Sequence, residues 1–302
     1  MHPAYSIIIF TTLSGLGYGL AVILGLGFLD PSALPTKIAY ITALALICIG
    51  LLSSLLHLGN PQRAWRALSQ WRSSWLSREG VMAIATFVPL TSNAALCLFM
   101  NRQDTVLGLI TVFGAIITVY CTSMIYASLK TVDSWHTKLT PLCFLLFSLA
   151  GGLLLGALFA GGGNVLPLQL LAVLFLLLAL VAKMIWRKRV RTLVSLSTPE
   201  SATGLGGIGK VRLLERPHAL DNYLTREMGF RVARKHAQKL WVIAFISGIV
   251  LPILAAFIAM AIGGGALSTC LMAMGVLAHM LGLFVERWLF FAEAKHAVMN
   301  YY

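Results

Sequence analysis

Residues 168 to 182 read LQLLAVLFLLLALVA, fifteen positions with one polar side chain, Gln169. A half-buried strand alternates apolar and polar residues at period two, and this stretch does not alternate. With its neighbours it spans 165 to 186, close to the roughly 20 residues that carry a helix across a hydrocarbon core of about 30 Å. Comparable runs recur along the whole chain, so a removable leader does not account for them. The composition agrees: 59% of residues are hydrophobic and 11% charged, with a mean hydropathy of +0.86. An average soluble domain carries about 25% charged residues.

Eight spans are expected, at 5–29, 38–58, 80–100, 105–129, 139–160, 165–186, 240–261 and 268–291. In lipid only helices and closed barrels satisfy their own backbone, and non-alternating runs exclude the barrel. The fold class is therefore an all-α integral membrane protein, a bundle of eight transmembrane helices forming one domain over 1–302. The short turns between most spans make consecutive helices antiparallel neighbours. Gly15 and Gly19 stand at the small-x-x-x-small spacing that lets helices approach closely. Two segments are longer. Residues 59–79 mix Trp65, Trp71 and Trp75 with four arginines, the composition of a headgroup-level segment. Residues 187–239 form a basic insertion whose end, REMGFRVARKHAQKLW, reads as a helix feeding the seventh span.

The net charge of +13 is one-sided. Of 23 Lys and Arg, 21 fall after even-numbered spans or at the end of the sequence, leaving Lys37 and Arg102 on the other side. Positive residues favour the cytoplasm, which places both termini there. A basic cytoplasmic face accounts for the charge without nucleic acid. Within the insertion, GLGGIGK at 204–210 fits G-x-x-x-x-G-K, but Val211 stands where a phosphate loop needs Ser or Thr and no strand precedes it, so a glycine turn is expected. The five cysteines, Cys48, Cys97, Cys121, Cys143 and Cys270, lie in apolar spans without a C-x-x-C pair and read as buried structural thiols, not cluster or haem ligands.

Ionisable groups at mid-membrane cost roughly 2.5 to 3.5 kcal/mol on insertion scales, so the few present are functional candidates. His57 ends the second span within SLLHLGNPQRAWR (54–66), Glu79 begins the third beside Arg78, and Asp133 and His136 follow the fourth. His279 lies deep in the eighth, which Glu286 and Arg287 close. That is too few, at too few depths, for a proton pump or coupled transporter. His279 has no facing histidine for a haem and reads as a histidine hydrogen-bonded between packed helices. A His, Arg and Glu group at one boundary suits an amphiphile that enters from the lipid. Quinones match, because their reduction needs a hydrogen-bond donor, a group exchanging protons near neutral pH, and positive charge. His57, with an ordinary pKa near 6.5, supplies the first two; Glu79 exchanges protons and Arg63 stabilises charge. The plainer alternative is that these side chains touch lipid phosphates or cap helix carbonyls, and composition alone favours it.

The stretch LLHLGNPQRAWRALSQWRSSWLSRE (55–79) resembles the H-L-G-x-P-x-R-A region, followed by S-x-E, of the membrane anchor subunits of DMSO reductase-type molybdoenzymes. YASLKTVDSWHTKLTP (126–141) and GLFVERWLFFAEAKHAVM (282–299) are similar to two further elements of that family. The inserted GKVRLLERPHALDNYLTREMGFRVARKH and the ending ERWLFFAEAKHAVMNYY look more like its sulfite-oxidising branch. The resemblance implies an anchor in a bacterial cytoplasmic membrane that binds quinone, ubiquinone or menaquinone, and holds no metal itself. It implies two partners, a four-cluster iron–sulfur subunit and a molybdopterin catalytic subunit. By position, His57, Arg63 and Glu79 match residues tied to quinol binding. Arg66, Arg78, Asp133, Trp135 and Arg287, on the same face, would support that site or the docking surface. The expected activity is electron transfer from sulfite oxidation to quinone, with a quinol-oxidising reductase anchor as the alternative. A small-solute transporter and a purely structural anchor are rivals from other classes.

Overall fold

A computed structural model describes residues 4–56, 60–161, 164–193, 197–212, 214–215 and 232–300, with side chains of the last stretch described from 236 onward. Among these residues eight helices are long and apolar enough to cross a membrane. They are α1 (Tyr5–Gly25), α2 (Leu34–Leu55), α3 (Trp75–Met100), α4 (Thr105–Ala127), α5 (Leu139–Phe159), α6 (Val165–Thr192), α7 (His236–Ile262) and α8 (Ala266–Ala292). No strand occurs among the described residues.

The helix ends follow local chemistry. Ser74 caps α3 by accepting from the Ser77 amide, and Asp104 caps α4 by accepting from the Leu107 amide at 2.9 Å, each satisfying a donor that a helix N-terminus leaves open. That cap starts α3 five residues before the expected span. Helix α6 runs six residues past its expected end, because Lys and Arg are good helix formers and positive charge suits a helix C-terminus. The segment expected to feed the seventh span is helical from Val232 where described, and continues into α7. Within α7 a π-helical turn, Ile246–Val250, interrupts the regular winding.

Helix α1 is the centre of the bundle. It is 78% buried, against 33% for α2 and α8, and it contacts α2, α4, α5 and α8. Gly19, not Gly15, makes the close approach: its backbone meets that of Gly152 on α5, where a Cβ on either residue would overlap the other helix. Gly15 contributes its carbonyl instead, which accepts from Ser148 Oγ at 2.6 Å. A second backbone approach joins Gly248 in the π turn to Gly282 on α8. Dispersion and hydrogen bonding hold such contacts together in lipid, where apolar burial offers no advantage.

All five cysteines are free thiols. Cys97, Cys121 and Cys143 are buried as expected, but Cys270 is exposed on the outside of α8, a helix of which only a third is covered by the bundle. The 204–210 stretch forms a turn after a short helix, Pro199–Thr203, with Gly204 at φ +70° and the Val211 amide donating to Glu200 Oε1 at 3.0 Å.

Candidate functional site

The segment between α2 and α3 contains a ten-residue 3-10 helix, Pro61–Gln70, unusually long for that winding. It folds back onto the start of α3. The Ser77 hydroxyl donates to the Ala67 carbonyl, and the Leu68 side chain packs where Gly80 leaves room. Arg78 donates from Nε to the Trp71 carbonyl at 3.0 Å and from Nη2 to the Arg72 carbonyl at 2.7 Å, with its guanidinium 4.3 Å from the Trp75 ring centre. Arg78 is thus a brace that fixes the loop to the helix carrying Glu79. Arg63 and Arg66 are exposed on the 3-10 helix, Arg66 beside the Trp65 ring. Trp65 and Trp71 are themselves 67% and 52% exposed, as suits headgroup-level rings. His57 lies outside the described residues.

Glu79 points into the bundle and is buried. Its Oε1 stands 2.5 Å from Thr122 Oγ1 on α4, and the same hydroxyl is 3.0 Å from the Thr118 carbonyl. Thr122 has one proton for two acceptors. With a carboxylate at 79, it donates to either oxygen; with a carboxylic acid, Glu79 donates to Thr122, which donates to Thr118. Both protonation states are accommodated by turning O–H bonds, with no heavy atom displaced.

Across the bundle lies a second buried charge group. Lys183 Nζ on α6 is 2.5 Å from Glu286 Oε1, and Arg287 Nη1 is 3.4 Å from Glu286 Oε2. Each cation also faces an aromatic ring, Lys183 that of Trp186 and Arg287 that of Phe144, both at 3.6 Å. Two cations and one carboxylate leave this triad with a net positive charge inside the membrane. A small cavity of about 10 Å³, lined by Thr12, Ser148, Thr122 and Arg287 among others, separates Arg287 from the partner of Glu79. The Thr12 hydroxyl there is buried without a protein partner. Thr122, which bonds Glu79, and the unbalanced cation therefore border the same small cavity. Glu286 and Arg287 stand at the end of the last span as expected, and Lys183, a lysine inside the sixth span, is the partner that hydropathy alone does not assign to them. Thr118 and Thr122, one turn apart on α4, were the unread signal for Glu79's partner.

Of the expected supports, Trp135 and Arg287 are 3% and 4% exposed and act inside the bundle, not on a docking surface. Trp135 Nε1 donates to the Phe290 carbonyl at 2.9 Å and its ring stacks on Phe290, tying the α4–α5 turn to α8. The carbonyl of Asp133 accepts from Arg189 at 3.1 Å, tying that turn to α6. The Ala297 amide donates to the Thr131 carbonyl at 2.8 Å, adding the tail. His279 is buried and its Nδ1 donates to the Gly248 carbonyl at 2.6 Å, so the π turn and the histidine explain one another.

A polytopic helical bundle whose described buried charges gather at one end defines a membrane protein with a polar interior at a single boundary. Comparison with known proteins narrows the class. The family model described as DMSO reductase anchor subunit (DmsC) matches residues 1–204. A sulfite dehydrogenase subunit of Allochromatium vinosum is 30% identical over all of this sequence and 99% of its own length. An anaerobic dimethyl sulfoxide reductase subunit of Escherichia coli is 32% identical over 37% of this sequence and 40% of its own, and the corresponding protein of Haemophilus influenzae is 32% identical over 37% and 41%. The protein belongs to the DMSO reductase anchor subunit family.

Proposed function

We propose that this protein is the quinone-exchanging anchor of a molybdoenzyme, joining a partner iron–sulfur subunit and a catalytic subunit to the membrane quinone pool. The observation that carries the reading is Glu79, a buried carboxyl group held so that it can gain or lose a proton in place. A quinone supplies the two-electron, two-proton chemistry when bound. On the protein side, His57, two residues beyond α2 in the sequence, donates a hydrogen bond and carries a proton, and Glu79 stores and releases protons from inside the bundle. Arg63 contributes positive charge at the boundary. Full-length similarity to a sulfite dehydrogenase subunit, insertion included, favours sulfite oxidation with quinone reduction over quinol oxidation. The one-sided distribution of Lys and Arg favours a cytoplasmic basic end, with the partners and both termini on that side.

The test is His57→Ala in the assembled complex. Quinone-coupled turnover with sulfite is expected to fall by about 100-fold, the scale of a lost acid–base group, while sulfite oxidation with an artificial acceptor persists. Unchanged quinone turnover would remove His57 from the site, and an S-oxide accepted in place of sulfite would reverse the direction. Solute uptake by the purified protein would replace the reading with a transporter.

A further inference from the structure

A cleft opens between α6 and α7 at the basic end of the bundle. Its mouth, about 460 Å³, is lined by Met184, Arg187, Lys188, Arg191, Gln238 and Trp241 with Thr192 at the edge. Met184, Arg187 and Trp241 also line a tight apolar slot of about 30 Å³ that continues inward past Leu180, Phe245 and Leu283. Mouth and slot adjoin through the shared Met184, Arg187 and Trp241 and together form one groove, with Arg187, Lys188 and Arg191 around the outer part and apolar side chains around the inner.

We propose that this groove binds an anionic phospholipid, headgroup in the mouth and the start of an acyl tail in the slot. Depth supports it. A helix that enters the hydrocarbon at Val165 leaves it after roughly 20 residues, near Met184, so Arg187, Lys188 and Arg191 stand at headgroup level and Leu180 about a turn below. Trp241 is where an interfacial indole is expected.

Charge supports it too. Arg187 and Arg191 each donate from Nη2 to the same oxygen, Gln238 Oε1, at 2.8 and 2.9 Å. An amide oxygen carries no formal charge, so this contact gathers two guanidinium groups without neutralising them. Arg187 is also held 4.4 Å from the Trp241 ring centre, which orients it at the mouth. Three cations face one carboxylate lining the groove, Glu293, because Glu286 on the back wall is ion-paired with Lys183. A phosphodiester matches the excess, and basic pockets between membrane helices take such headgroups. The slot is too tight for a substituted ring, which separates this groove from the quinone chemistry assigned to α2 and α3.

The purified protein in nanodiscs of phosphatidylcholine with a small fraction of phosphatidylglycerol provides the test, with bound lipid read by native mass spectrometry. The wild type is expected to retain phosphatidylglycerol about tenfold in preference to phosphatidylcholine. Arg187→Gln with Arg191→Gln should bring that preference close to unity, and Lys130→Gln with Lys138→Gln, on the same face, should leave it intact. Leu180→Trp, which fills the slot and keeps every charge, should lower retention of the lipid; it also serves if the double arginine variant fails to fold. Equal loss in both charge variants would mean diffuse surface attraction and overturn the site. Displacement by inorganic phosphate alone would reduce it to an anion site, and displacement by a short-tailed quinone would make it a quinone site; either overturns the proposal.

Discussion

At the scale of single residues, the decisive group is the Thr122 hydroxyl, which lets Glu79 change charge without moving. Thr122→Val removes the hydroxyl and keeps the shape, so quinone-coupled turnover is expected to fall about tenfold while the complex still assembles; Thr122→Ser restores it. Equal activity in the valine and serine variants would mean that Glu79 does not exchange protons through this contact. The triad on the far side of the cavity makes a different kind of prediction. Glu286→Gln leaves Lys183 and Arg287 facing each other in low dielectric, a loss of about 3 to 5 kcal/mol. Arg287→Gln leaves Lys183 and Glu286 as a neutral pair and costs less. Thermal unfolding in detergent should order the variants in that sense, and the reverse order would show that the net charge of the triad is not what governs its stability.

At the scale of elements, the helices were legible and the connections were not. Each span announced itself because a backbone in lipid has only the helix and the closed barrel available, and long runs that do not alternate leave the helix. Boundaries shifted where capping or propensity, invisible to hydropathy, took over: Ser74 pulls α3 forward and the basic residues carry α6 onward. The 3-10 helix of 61–70 could not be read, because its winding depends on Arg78 and Ser77 returning from the next helix to satisfy carbonyls in and just after it. The π turn depended likewise on a partner, His279, thirty-one residues away. The glycine turn at 204–210 was legible, but not its latch. Glu200 accepts from the Val211 amide, and its own backbone amide, the Thr198 side chain and that same amide hold its carboxyl below the usual range. A depressed folded value means that the latch is fully set above the ordinary carboxylate pKa and loosens only as pH falls through the lowered one. Glu200→Gln weakens the acceptor at neutral pH, so trypsin should cut the Lys210–Val211 bond several-fold faster than in the wild type; an unchanged cleavage rate would mean the latch does not order the turn.

At the scale of the whole molecule, the candidate site was half legible. His57, Arg63 and Glu79 stood out because an apolar sequence has few ionisable groups to choose from, while the Thr122 hydroxyl and the Lys183 partner of Glu286 needed helices to be brought together. The geometry also turns Glu79 inward, away from the lipid by which a quinone arrives, which fits a proton store better than a direct contact. What remains for the assembled membrane is sidedness. The described elements of the site, the ion triad and the lipid groove sit at one end of the bundle; in the sequence 21 of the 23 Lys and Arg follow even-numbered spans or close the chain, and a membrane potential negative inside favours that side in the cytoplasm. In a Cys270→Ala background, Arg102→Cys in the α3–α4 turn is expected to react with a membrane-impermeant maleimide added to intact cells. Lys130→Cys in the α4–α5 turn is expected to react only after the membrane is opened. The remaining native thiols lie in α2 to α5, within apolar spans that an impermeant reagent does not enter, so they contribute little background. Labelling of Lys130→Cys from outside, with Arg102→Cys protected, would turn the whole assembly over and place its partners on the opposite face of the membrane.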